Sequence, residues 1–187
     1  TLDILVHMAE NLIQEPAWKP KSKVKLTKDE NEERIEKHTK TFASFIEKMS
    51  KLTCLDQFMN ATDMKASSFR IYNHKTTVDK QYGAGNILFR RVGQIMFAKA
   101  VGDLMNDEEN PMDLEKIFKK VYAFEKKNGF EKLDRPGSIF YSILYDPNKI
   151  RMIVSAPNIK LAADLLRYVL FQPFKDEQRE QIRQDLI

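Results

Sequence analysis

At 187 residues the chain is long enough for one domain, or one domain with an appended helical arm, and its 12 Phe supply bulky material for a sizeable core. The 31 Lys plus Arg against 27 Asp plus Glu leave a net charge of +4, which permits a nucleic-acid or acidic partner without demanding one. A single cysteine, Cys54, excludes an internal disulfide and a Cys-based metal cluster, and no apolar run approaches the roughly 20 residues of a membrane helix.

Leu2, Leu5, Val6, Met8, Ala9, Leu12 and Ile13 fall near helical spacing, which predicts an amphipathic helix ending before Pro16. The chain begins in mid-pattern, without an initiator Met or a targeting segment, and so reads as a piece of a longer protein. Pro16 and Pro20 then break regular structure, and Lys19, Lys21, Lys23 and Lys25 form a basic strip beside Trp18. That strip is either a phosphate-contacting surface or a solvated linker whose Trp docks on the core. Residues 1–26 are accordingly expected to be a helix plus basic linker, and residues 27–187 a helical domain.

Thr27 to Glu30 has the Thr-x-x-Glu spacing of a capping box, in which hydroxyl and carboxylate satisfy orphan N–H groups reciprocally. A helix follows to about Leu52, with Ile35, His38, Phe42, Phe45, Ile46, Met49 and Leu52 as its apolar stripe. His38 on that stripe reads as a hydrogen-bonded boundary residue, not a catalyst. From Thr53 to Gly85 the periodicity weakens to a short helical turn at Leu55, Phe58 and Met59 and an extended segment at Phe69 to Tyr72. Gly83 and Gly85 mark a turn; it lacks the third glycine of a dinucleotide fingerprint and the Gly-Lys-Ser/Thr of a P-loop.

The run ILFRRVGQIMFAKAVGDLM, Ile87 to Met105, sets Arg90 and Arg91 directly before a helix that is apolar on most faces. All-round apolarity predicts a central helix covered by its neighbours, and Gly93 and Gly102 leave room for close backbone approach. Asp113 or Asn110 can cap the next helix, bearing Leu114, Ile117, Phe118, Val121, Tyr122 and Phe124. Lys126, Lys127 and Gly129 suit its C-terminal end, so these lysines have a structural reason to be there. Ser138 to Tyr145, a turn at Asp146 to Lys149, and Ile150 to Ser155 predict a β-hairpin at about 138–155. Asn158 is expected to cap a helix through Leu170 closed by Pro173, and a polar helix from Asp176 to Leu186 to finish the chain.

The catalytic inventory is thin. His7, His38 and His74 fall in different segments with no metal spacing, Cys54 has no nucleophile signature, and no serine elbow or kinase set occurs. No cofactor and no metal are expected. Attention therefore falls on Arg90 and Arg91, which oppose the dipole of the helix they precede. An anion would reconcile them with that end, either a nucleic-acid phosphate or a neighbouring carboxylate of the fold.

Three stretches resemble the C-terminal region of DGQHR-domain proteins, the family of the DNA sulfur-modification protein DndB. ILFRRVGQIMFAKAV is similar to the family's apolar–Phe–Arg–Pro–x–Gly–Gln run leading into a helix. SIFYSILYDPNKIRMI resembles its aromatic segment leading through a turn to a strand, and NIKLAADLLRYVL the helix that follows. LDILVHMAENLI is similar to the segment beginning a Leu-rich helix. By the match Arg90, Gly93 and Gln94 take the family's Arg, Gly and Gln, with Gly93 and Gln94 as structural anchors. Arg91 departs, standing where Pro is common, and Ile139 or Phe140 occupies the region where the family often has Trp. No Asp-Gly-Gln-His-Arg occurs in these residues, and that signature would lie upstream of Thr1.

The expected fold is mainly α, a helical domain with a small β-hairpin, forming the C-terminal part of a larger α/β protein. The resemblance implies a cytoplasmic, non-catalytic part of a DNA-associated protein, tied to regulation of DNA modification by phosphorothioation or to anti-phage defence. Its nucleic-acid contacts would be Arg90, Arg91, Lys19, Lys21, Lys23 and Lys25, and its other partner the upstream domain. The alternatives are an interaction or homo-oligomerisation module without DNA contact, and part of an enzyme whose active site lies upstream.

Overall fold

The computed structural model describes residues 2–14, 27–62, 86–130, 140, 142–146, 148–149 and 151–171. Among these the fold is mainly helical with one small antiparallel hairpin. Six helices appear: α1 (Leu2–Ile13), α2 (Lys28–Ser50), α3 (Thr53–Asn60), α4 (Arg91–Met105), α5 (Leu114–Asn128) and α6 (Ala156–Phe171). A 3₁₀ turn, Ile87–Phe89, leads into α4, and strands β1 (Tyr145–Asp146) and β2 (Arg151–Met152) form the hairpin. No helix among the described residues is long and apolar enough to cross a membrane.

The core is organised around α4. Nine of its residues are buried, and it packs against α1, α5, α6 and the 3₁₀ turn. Phe97 of α4 meets Phe45 of α2 and Phe118 of α5, with ring centroids 5.9 Å apart in each pair, and Phe130 at 5.8 Å. Such tilted and edge-to-face contacts suit the quadrupoles of the rings. His38 is buried on the α2 stripe, whereas Ile35 remains exposed.

The first helix belongs to this core, but by one face only. Met8 and Leu12 are buried while Leu2, Leu5 and Val6 are exposed. A Cβ on Gly102 would fall 2.3 Å from the carbonyl oxygen of Asn11, so only glycine lets α1 and α4 approach this closely. Asp3 meets Arg91 at one end and Leu12 meets Gly102 at the other, so the two helices run parallel.

Local chemistry explains most helix ends. Thr27 and Glu30 form the reciprocal capping box, and Glu30 accepts from the Thr27 amide at 2.9 Å. Asp113 caps α5 through the Lys116 amide at 2.7 Å, and Gly129 with φ 70° ends it. The cap of α6 differs from expectation: Ser155, not Asn158, accepts the Asn158 amide at 3.3 Å, and Asn158 sits inside the first turn. Its side chain instead donates to the Ile143 carbonyl at 2.8 Å, tying α6 to the chain before β1.

Among the described residues the hairpin is shorter than the 138–155 expected. Ser142 adopts φ 61° and the Ile143 amide donates to Phe140, so the chain turns where a strand was expected. Among the described residues Tyr145 pairs with Met152 and Asp146 with Arg151, extended by the Ile153 amide on the Leu144 carbonyl. Asp146 accepts from the amides of Asn148 and Lys149 and holds the turn. The region of Leu55 to Met59 is a complete helix, α3, where only a turn was expected. The extended segment at 69–72 and the final helix at 176–186 lie outside the described residues.

Candidate functional site

The junction into α4 is built from its own sequence. The buried Asn86 accepts the Leu88 amide at 3.0 Å and starts the 3₁₀ turn, which the Arg90 amide closes on the Ile87 carbonyl at 2.9 Å. The chain then reverses onto α4, and a Cβ on Gly93 would lie 2.1 Å from the Ile87 carbonyl oxygen. Gln94 donates its amide to the Leu88 carbonyl at 2.9 Å, satisfying an acceptor the short turn leaves over. Gly93 and Gln94 thus hold one reversal together from opposite sides.

Arg90 is the half-buried cap residue of α4, with extended backbone and no side-chain cap bond to the helix. Arg91 turns outward and meets the Asp3 carboxylate of α1 at 2.8 Å. His7 lies 3.4 Å from the other oxygen of Asp3 and 3.3 Å from Glu10. The arginine pair is therefore divided between the helix junction and a surface ion pair. Lys19, Lys21, Lys23 and Lys25 lie outside the described residues.

A larger polar cluster stands at the other end of α1 and α4. Gln14, in the left-handed region with φ 57°, donates to Asp103 at 2.6 Å, and Lys99 reaches the same carboxylate at 3.0 Å. Arg167 of α6 points one guanidinium at Asp103, Asp107 and Asp164, at 3.8, 3.4 and 3.5 Å. Its Nε is buried with no hydrogen-bond partner among the described residues. Three carboxylates meeting one arginine and two lysines, Lys99 and Lys160, make a charge-balanced clasp of α4 and α6, to which Gln14 ties the end of α1. Sequence reading missed this cluster. The signal was present only as Lys99/Asp103 and Lys160/Asp164 at i,i+4 and Asp164/Arg167 at i,i+3, which says nothing of which helices face each other.

A cleft of about 610 Å³ opens between α3 and α5, lined by Lys51, Thr53, Cys54, Gln57, Tyr122 and Glu125 among others. Leu52 offers no side-chain cap to α3, and Glu125 of α5 supplies one, accepting from the amides of Thr53 at 2.9 Å and Cys54 at 3.3 Å. Burial pushes the Cys54 thiol up to about 12, helped by the negative charge of Glu125. A thiol so protonated is a poor nucleophile and metal ligand. Tyr122 donates its hydroxyl to the Lys48 carbonyl at 2.8 Å, and burial raises its pKa as well. Among the described residues no group of three or more His, Cys, Asp or Glu is placed to hold a metal ion.

Comparison of the chain with protein-family models, with curated proteins and with solved structures finds no match.

Proposed function

We propose that the chain works by binding, as the non-catalytic helical part of a DndB-like, DNA-associated protein concerned with DNA modification or defence against phage. The observation that carries this reading is the junction at α4. Gly93 and Gln94, the residues of the resembling run, are the two that the reversal from the 3₁₀ turn requires. The other two resembling stretches connect to α4 in turn: α6 packs on α4, and Asn158 joins α6 to the chain before the hairpin. Arg91 remains usable toward phosphate, because an exposed ion pair such as Arg91–Asp3 contributes only about 0.2–1 kcal/mol and an incoming phosphate can replace it. The basic strip Lys19, Lys21, Lys23 and Lys25 adds charge to the same task.

The Arg91–Asp3 pair also favours a second reading, a protein-interaction or oligomerisation module in which that arginine serves the fold. Duplex DNA binding measured by fluorescence anisotropy over a salt series separates the two. The DNA reading expects binding at low salt that weakens linearly in log–log form, and a several-fold loss in the Arg90→Ala/Arg91→Ala variant. Absence of binding at low salt would leave the interaction module, with self-association by sedimentation as its measure. Unfolding of the double variant would assign the arginines to the fold, and an Arg91→Ala single variant then reports on DNA alone.

A further inference from the structure

Helix α5 carries a face that the fold does not use. Lys116, Lys119, Lys120, Lys126 and Lys127 are all exposed, arranged around an exposed Ala123. At 3.6 residues per turn they occupy one arc, opposite the buried Ile117, Phe118, Val121 and Phe124. The described lysines of α2, α4 and α6, Lys37 aside, each meet a carboxylate, as in Lys40–Glu36, Lys99–Asp103 and Lys160–Asp164. None of the five on α5 does so among the described residues. The acids of the same helix are engaged with other elements: Glu125 caps α3, and Glu115, which with Asp113 borders Lys116 and Lys119, takes Lys48.

Helix electrostatics account for Lys126 and Lys127 at the C-terminal end but not for the rest. Lys116 stands in the first turn, where a cation opposes the dipole, and Lys116, Lys119 and Lys120 repel one another at i,i+3 and i,i+4 spacing. The stripe from Lys116 to Lys127 runs about 16 Å along the helix axis, roughly half a turn of duplex. Its apolar side is buried, so α5 has none to insert into a lipid surface.

We propose that the lysine face of α5 is the surface on which this domain meets the phosphate backbone of duplex DNA. The inference rests on the DNA-associated reading above and moves its main contact from the α4 junction to α5. Contact of this kind is sequence-independent and steep in salt.

The test is anisotropy of the full chain with a duplex of about two helical turns. It compares Lys116→Gln/Lys119→Gln/Lys120→Gln, the corresponding triple arginine variant and Arg90→Ala/Arg91→Ala. The glutamine triple should bind at least tenfold more weakly, with a log–log salt slope shallower by roughly 2 to 3, while the arginine triple retains binding. Wild-type binding that the glutamine triple leaves unchanged overturns this surface and leaves the DNA reading standing. No wild-type binding at low salt removes both. Polyglutamate binding more tightly than the duplex at equal salt overturns the duplex in favour of an acidic protein partner. Glutamine keeps helix propensity close to that of lysine, and circular dichroism of each variant checks the fold.

Discussion

Gly93 and Cys54 show how single atoms decide what this chain can do. At Gly93 the missing methyl is the function, since a Cβ would occupy the space of the Ile87 carbonyl. At Cys54 the deciding quantity is the solvation of one sulfur. Burial, then the Glu125 charge, raises its pKa from 9.0 to about 12. Because the folded value lies above the unfolded one, the linked stability is complete below about pH 9. It is lost as the pH climbs toward 12. Alkylation by iodoacetamide at pH 8 should therefore run at least tenfold slower than for a free cysteine, and rise to the free rate on unfolding in urea. Rapid labelling of the folded chain at pH 8 would show that the thiol is neither buried nor protonated.

Helices with their own caps and stripes were legible in the sequence; those completed by another element were not. The capping box at Thr27, the Asp113 cap and the Gly129 stop all act within a few residues, so spacing alone reveals them. Helix α3 looked like a weak turn because its cap comes from Glu125, on a helix distant in sequence. Removing that carboxylate by Glu125→Ala should cost about 1 kcal/mol, in line with the loss of a cap. Hydrogen exchange at the amides of Thr53 and Cys54 should quicken in this variant while α2 and α4 keep their protection. Equal loss of protection throughout would mean that Glu125 supports the whole fold and not α3 in particular. The stretch from Ser138 to Tyr145, expected as a strand, holds a turn among its described residues. Its aromatic, β-branched composition fits a strand, but Ser142 in the left-handed region turns the chain before Tyr145. Asn158 was a reasonable cap by residue type, yet the Ile143 carbonyl claims its side chain and Ser155 caps instead.

At the scale of the molecule the parallel packing of α1 on α4 needs an explanation, because parallel dipoles side by side disfavour each other. Two features offset this. Gly102 lets the backbones touch and fills the contact with dispersion, and each end of the pair carries a polar tie. At the N-terminal end the tie is the exposed Arg91–Asp3 ion pair; at the other Gln14, just past α1, donates to Asp103, which the half-buried clasp of Arg167 with Asp103, Asp107 and Asp164 holds against α6. Their exposure makes them unequal. Arg91→Ala should change stability by less than about 1 kcal/mol. Arg167→Met should cost more, about 1–3 kcal/mol, because it leaves three carboxylates close together with Asp103 only 12 % exposed. Lys99 and Gln14 still face Asp103 and moderate the loss. Urea denaturation of both variants at low and high salt measures the difference. The Arg167→Met deficit should narrow in high salt, since screening weakens the repulsion among the half-buried Asp107 and Asp164, which solvent still reaches. Equal midpoints for the two variants would deny that the clasp fastens α4 to α6. A larger deficit at Arg91 would make the α4 junction, not the clasp, the electrostatic fastening of the fold.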